Sequence, residues 1–137
     1  IVLSSGENIE PGPLEEALVS SPLIEQVMLV GQDERQLGAL VVPRAEAIKA
    51  WASAQGCDPG EDLGGCPGDV RLLKLMRGEL NRLLASRAGS RADERLAGVA
   101  LVEPFSIENG LLTQTLKQRR DRITERDRSA IESVYGR

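Results

Sequence analysis

Two stretches of this chain hold residues whose types and spacing could do chemistry, one near each end. Toward the C-terminus runs Phe105-Ser106-Ile107-Glu108-Asn109-Gly110-Leu111-Leu112-Thr113-Gln114-Thr115-Leu116-Lys117-Gln118-Arg119-Arg120. Taken alone, its plainest reading is a strand-to-helix loop followed by solvated basic residues. Near the N-terminus runs Leu3-Ser4-Ser5-Gly6-Glu7-Asn8-Ile9-Glu10-Pro11, a tight turn leading into a helix, where Gly6 can supply a positive φ. The sequence has no histidine, which removes every His-dependent triad and acid/base relay. Its two cysteines, Cys57 and Cys66, have neither a histidine nor a second cysteine pair to complete a zinc site, so no metal centre is expected.

The elements that must position these residues follow from period and turn chemistry. Ile1–Leu3 and Ile9 flank the Ser4–Asn8 cluster, which favours a short N-terminal hairpin. Pro11-Gly12-Pro13 introduces a helix through Leu14-Glu15-Glu16-Ala17-Leu18-Val19, with Glu15 near its start, where a negative charge suits the dipole. Ser20-Ser21-Pro22 stops it. Ile24–Val30 and Leu37–Val42 are branched, apolar strand signals joined by a polar, glycine-led turn, so an antiparallel hairpin is the simplest connection. The unbroken apolar run Ala39-Leu40-Val41-Val42 suggests a strand covered on both faces.

From Ala45 the period changes to that of a helix, with Ala45, Ile48, Trp51 and Ala52 on one face as far as about Gln55. Residues 56–68 read as a flexible, cysteine-containing loop whose thiols are expected free, although spacing alone does not say whether they bond. Val70, Leu73, Met76, Leu80, Leu83 and Leu84 form the stripe of a long helix over 69–87. A strand is expected over Ala97–Val102, and one charged helix over Arg119–Val134. In that helix Arg119, Arg120, Arg122, Arg126 and Arg128 alternate with Asp121, Glu125 and Asp127 at pair spacing, as in a solvated, salt-bridged helix. The expected fold is therefore α+β: a small sheet of about three strands flanked by helices.

Composition narrows the function. With 137 residues and 41% apolar content, one packed domain spanning 1–137 is expected. Only Trp51, Phe105 and Tyr135 are aromatic, so the chain is poorly equipped to stack bases, and a net charge of −4 argues against nonspecific nucleic-acid binding. No apolar run approaches the ~20 residues of a membrane span. The opening Ile1–Gly6 lacks the features of a secretory signal and reads as a chain cut in mid-strand. Cytoplasm is the default compartment.

The two end stretches together resemble the adenylate-forming superfamily. Leu3–Pro11 followed by Leu14-Glu15 looks like the loop-and-helix motif that follows the interdomain hinge of acyl-CoA synthetases. Asn109-Gly110-Leu111-Leu112-Thr113 to Lys117 looks like their C-terminal lysine motif, in its long-chain fatty acyl form. Val30-Gly31-Gln32-Asp33 and Leu37–Pro43 match that branch too, so the resemblance covers essentially the whole chain apart from the cysteine insert and Arg87–Asp93. It departs at Gln114, where a proline is usual, and at Gln118, where an aliphatic residue is usual; both changes are expected to loosen the lysine loop.

The resemblance implies the C-terminal cap domain of an ATP-dependent long-chain fatty acid ligase, beginning just after its hinge. Such an enzyme makes an acyl-adenylate with release of pyrophosphate, then passes the acyl group to a thiol. Lys117 would be the catalytic amine of the first step, with Asn109, Gly110, Thr113 and Thr115 supporting its loop. Rotation about the hinge would withdraw it and bring Ser5, Gly6, Glu7 and Asn8 to the pantetheine side. The implied partners are the N-terminal domain of the same protein, fatty acid, ATP with Mg2+ held mainly by that domain, and CoA. Acyl carrier protein is the alternative acceptor, and a non-catalytic α+β binding module is the alternative function. Full-length, the enzyme would be cytoplasmic, either free or peripheral to a membrane.

Overall fold

A computed structural model describes residues 1–54 and 70–136; the expected loop over 56–68, with Cys57 and Cys66, lies outside the described residues. The chain runs α1 (Pro11–Val19), β1 (Ile24–Val30), β2 (Leu37–Pro43), α2 (Ala45–Ala54), α3 (Val70–Ala85), β3 (Leu96–Leu101), α4 (Arg120–Arg126) and α5 (Arg128–Val134). The three strands form one sheet in the order β1-β2-β3, an α+β architecture as expected. β1 pairs antiparallel with β2, with Val27 opposite Val41, whereas β2 pairs parallel with β3, with Ala39 opposite Val99. Parallel pairing needs a long crossover, and the segment carrying α2 and α3 provides it.

The strand period of two splits the apolar residues between the faces. Val27, Leu29, Ala39 and Val41 face a core built with Leu14 and Leu18 of α1, Ile48 of α2, and Met76, Leu80 and Leu84 of α3. Met28, Val30, Leu40 and Val42 face a second core with Phe105, Leu111 and Ile123. This double burial explains why β2 is almost purely apolar.

The final helix differs from the sequence expectation. Instead of one helix over 119–134 there are two, broken at Asp127, whose φ of −105° and ψ of 27° leave the helical region. Arg126 makes the corner: it donates to the carbonyls of Glu103 and Pro104, pairs with the Asp127 carboxylate at 2.7 Å, and lies over the Phe105 ring. After the break, α5 packs closely on the sheet over two strand glycines. A Cβ on Gly38 would come within 2.5 Å of the Val134 side chain, and one on Gly98 within 3.0 Å of the Val134 carbonyl. Among the described residues no helix is long and apolar enough to cross a membrane.

Candidate functional site

The N-terminal loop is closed by its own backbone. Leu3 N–H donates to Glu7 O, Gly6 N–H donates to Leu3 O, and Val2 bridges Asn8. Buried Leu3 and Ile9 hold its two stems while Ser5, Gly6, Glu7 and Asn8 stay exposed. Gly6 takes φ +91°, in the left-handed region, and the space where its Cβ would stand is open. The loop leans on the β1–β2 turn: Ser4 N–H donates to Glu34 O, and Asp33 N–H donates to Val2 O. Arg91 reaches Glu7 at 3.3 Å and Asp93 at 2.6 Å, and its hydrogen bond holds the Asp93 carboxyl below the usual carboxylate range.

The C-terminal loop is organised by side chains. Asn109 Oδ1 accepts from the Ser106 and Leu111 N–H groups while its Nδ2 donates to Pro104 O, so one amide pins three backbone positions. Gly110 follows with φ +79°. Beyond it, Leu112 bridges Gln118 and Thr113 N–H donates to Lys117 O. Thr113 Oγ1 accepts from Lys117 N–H at 3.0 Å and lies 3.1 Å from Thr115 Oγ1. At the tip Leu116 is 66% exposed with φ +66°, an unusual conformation for a branched, non-glycine residue. Lys117 comes next and is exposed.

The loop is tied to the free edge of β1. Gln118 Nε2 donates to Val27 O at 2.7 Å, filling a position that a fourth strand would otherwise take. The Gln118 amide thus reaches the strand edge, which an aliphatic side chain cannot, while its Oε1 is buried without a hydrogen-bond partner among the described residues. Two residues along β1, Leu29 N–H donates to Glu15 Oε2, and Arg120 grips both oxygens of the same carboxylate at 2.8 and 2.6 Å. Sequence reasoning missed this fork. It placed Glu15 as a dipole partner and paired the arginines within their own helix. Among the described residues no ion pair joins those arginines to Asp121 or Glu125; Arg120 turns instead to a residue 105 positions away.

Lys117, Glu15, Glu16, Glu25, Gln26 and Arg120 line one open cleft of about 780 Å³. None of Ser5, Gly6, Glu7 or Asn8 borders it; Asn8 instead edges a separate depression with Arg87 and Arg91. The two loops thus stand on different parts of the domain, the first at the β1–β2 turn and the second midway along the β1 edge.

Comparison with known proteins places this geometry. Residues 1–55 match the AMP-binding enzyme C-terminal domain model. Over 98% of its length the chain is 38% identical to a probable acyl-activating enzyme 16, chloroplastic, of Arabidopsis thaliana, covering 18% of that protein. It is 37% identical over 98% of its length to a chloroplastic long-chain-fatty-acid–[acyl-carrier-protein] ligase of the same plant, covering 16% of it. Across its whole length it is 30% identical to a long-chain-fatty-acid–CoA ligase of Mycobacterium tuberculosis, covering 22% of it. The adenylation domain of a carboxylate reductase from Mycobacterium chelonae superposes on the entire chain with a TM-score of 0.77 at 25% identity, the chain covering 19% of it. The chain therefore spans about a fifth of the length of the relatives it matches. Residues 1–55 thus belong to the AMP-binding enzyme C-terminal domain family, and the chain as a whole aligns from end to end with acyl-activating and long-chain-fatty-acid ligases.

Proposed function

We propose that the chain is the mobile cap of a longer ligase that joins a long-chain fatty acid to AMP and then transfers the acyl group to the thiol of CoA. The observation that carries this reading is the exposed Lys117 amine, presented from a closed loop tied to a strand edge, in a domain aligned end to end with such ligases. A carboxylate attacking the α-phosphate of ATP brings negative charge onto charged oxygens. A compact ammonium with three rotatable donors, delivered from outside, neutralises that charge where it develops. The bond broken joins the α- and β-phosphates, and pyrophosphate leaves. In the second step the thiol sulfur attacks the acyl carbon and AMP leaves.

Ser5, Gly6, Glu7 and Asn8 serve this second step. A glycine with open space above it lets backbone approach a slender pantetheine arm. Rotation of the whole cap would exchange the two loops at the active site. On this reading Mg2+ accompanying ATP is held mainly by the rest of the protein. The cytoplasm, free or at a membrane surface, is the location that goes with this reading.

Acyl carrier protein is the second acceptor: the chain is 37% identical to a ligase named for it and 30% to 35% identical to ligases named for CoA. Offering both thiols to the same acyl-adenylate separates the two. The test of the main reading is Lys117→Ala in the full-length protein. Adenylation should fall by about 100-fold or more, on the scale of losing one preorganised donor, while transfer from preformed acyl-AMP is largely kept. Equal loss in both steps, or none in either, refutes the role.

A further inference from the structure

Lys117 makes no hydrogen bond or ion pair through its amine among the described residues, so its aim is set by the backbone that carries it. The loop's internal bonds close it but do not say where it points. The loop is seated on the domain by Phe105 and Leu111, buried in the second core, and by Gln26 on the Phe105 backbone; beyond the lysine it is tied by Gln118 on Val27 O and by the Arg120 fork on Glu15. Glu15 is the hub of the last tie. Its side chain is 12% exposed, and its two oxygens accept from Leu29 N–H and from both terminal nitrogens of Arg120.

We propose that Glu15 is the positioning residue for Lys117, acting through Arg120 and the edge of β1; the proposal rests on the catalytic reading of Lys117 above. The anchoring of α1 does not require this carboxylate, because Leu14 and Leu18 already bury that helix against the sheet. A half-buried ion pair adds little net stability, but it fixes the relative placement of its partners. Here the partners are helix α1 and the residue three positions beyond Lys117. Glu15→Gln keeps the shape and removes the fork: an amide NH2 meets a guanidinium N–H where an oxygen stood. Arg120→Lys keeps the charge and loses the second hydrogen bond.

The test uses the full-length protein, with adenylation and thiol transfer assayed separately for Glu15→Gln, Arg120→Lys and Lys117→Ala. For Glu15→Gln the adenylation kcat should fall roughly 10- to 100-fold, the scale of a displacement of about 1 Å at a reacting group. KM for ATP and transfer from preformed acyl-AMP should stay close to those of the parent. Arg120→Lys should move the same step in the same direction by less. A merely structural role would lower both steps together, and that outcome overturns the proposal, as does an unchanged adenylation rate. If Glu15→Gln does not fold, the step selectivity of Arg120→Lys gives the answer. Should Lys117→Ala abolish adenylation while Glu15→Gln leaves it untouched, this inference alone fails; if Lys117→Ala leaves adenylation intact, the reading of the lysine fails with it.

Discussion

An amine that must meet an anion held by another part of a protein has to be exposed, yet exposure leaves a long side chain free to wander. Here the constraint comes from the backbone, through a loop pinned by Asn109, closed by Thr113 and tied down by Gln118. On the proposed reading the opposite requirement applies at Gly6, where the absence of a side chain is the useful feature. Its φ of +91° would cost any L-residue about 1–3 kcal/mol of local strain, and the side chain would fill the open space above it. Gly6→Leu in the full-length protein should therefore slow thiol transfer by an order of magnitude or more, the scale of blocking a near-attack approach. Adenylation should be nearly unchanged. A loss confined to adenylation instead would assign the loop to the wrong step. At this scale the positive φ of Gly6 was legible because it follows from residue type in a tight turn. The fork between Glu15 and Arg120 was not, because Asp121 and Glu125 offered nearer carboxylates, and only folding shows which acid the guanidinium meets.

Both outer edges of the sheet are covered by side chains rather than by further strands. Along β1 the covers are Glu15 and Gln118; along β3, Asn81 accepts from the N–H and donates to the carbonyl of Leu96, while Arg77 donates to Ala97 O. Edges managed in this way do not offer a template for another strand. The close seating of α5 is the other feature at this scale, and it depends on Gly38 and Gly98. Gly38→Ala would force its new methyl into Val134, so unfolding in denaturant should show a loss of about 1–3 kcal/mol, as for overpacking elsewhere. Combining it with Val134→Ala should return part of that loss, since the two sites touch. Strict additivity of the two changes would mean that the contact does not carry the effect. The strands and the helix stripes were readable from their periods. The break at Asp127 was not, since the charged pattern continues through it and the reason lies in the carbonyls of Glu103 and Pro104 that Arg126 reaches.

As a whole the domain presents two loops from different parts of one sheet: the Gly6 loop braced on the β1–β2 turn, the lysine loop on the β1 edge. On the proposed reading, turning the domain as one body would bring either loop to the active site without refolding. The chain covers 16% to 22% of the ligases it matches, and the remainder of such proteins is where ATP and the acyl chain would be bound. The isolated chain, with two cores of its own, is expected to unfold cooperatively yet to release no pyrophosphate from ATP and fatty acid. Pyrophosphate release by the isolated chain would contradict the assignment of those sites elsewhere.

By itself the sequence determined most element types, the double burial of β2 and the positions of both loops. These depend on residues close together in the chain, through the periods of 2 and 3.6 and the conformational demands of glycine and proline. Only the tertiary structure decided that β3 lies parallel beside β2, that α4 and α5 part at Asp127, and that Arg120 crosses the domain to Glu15. Each of these is a choice among chemically equivalent partners, and packing makes it by bringing one of them within reach.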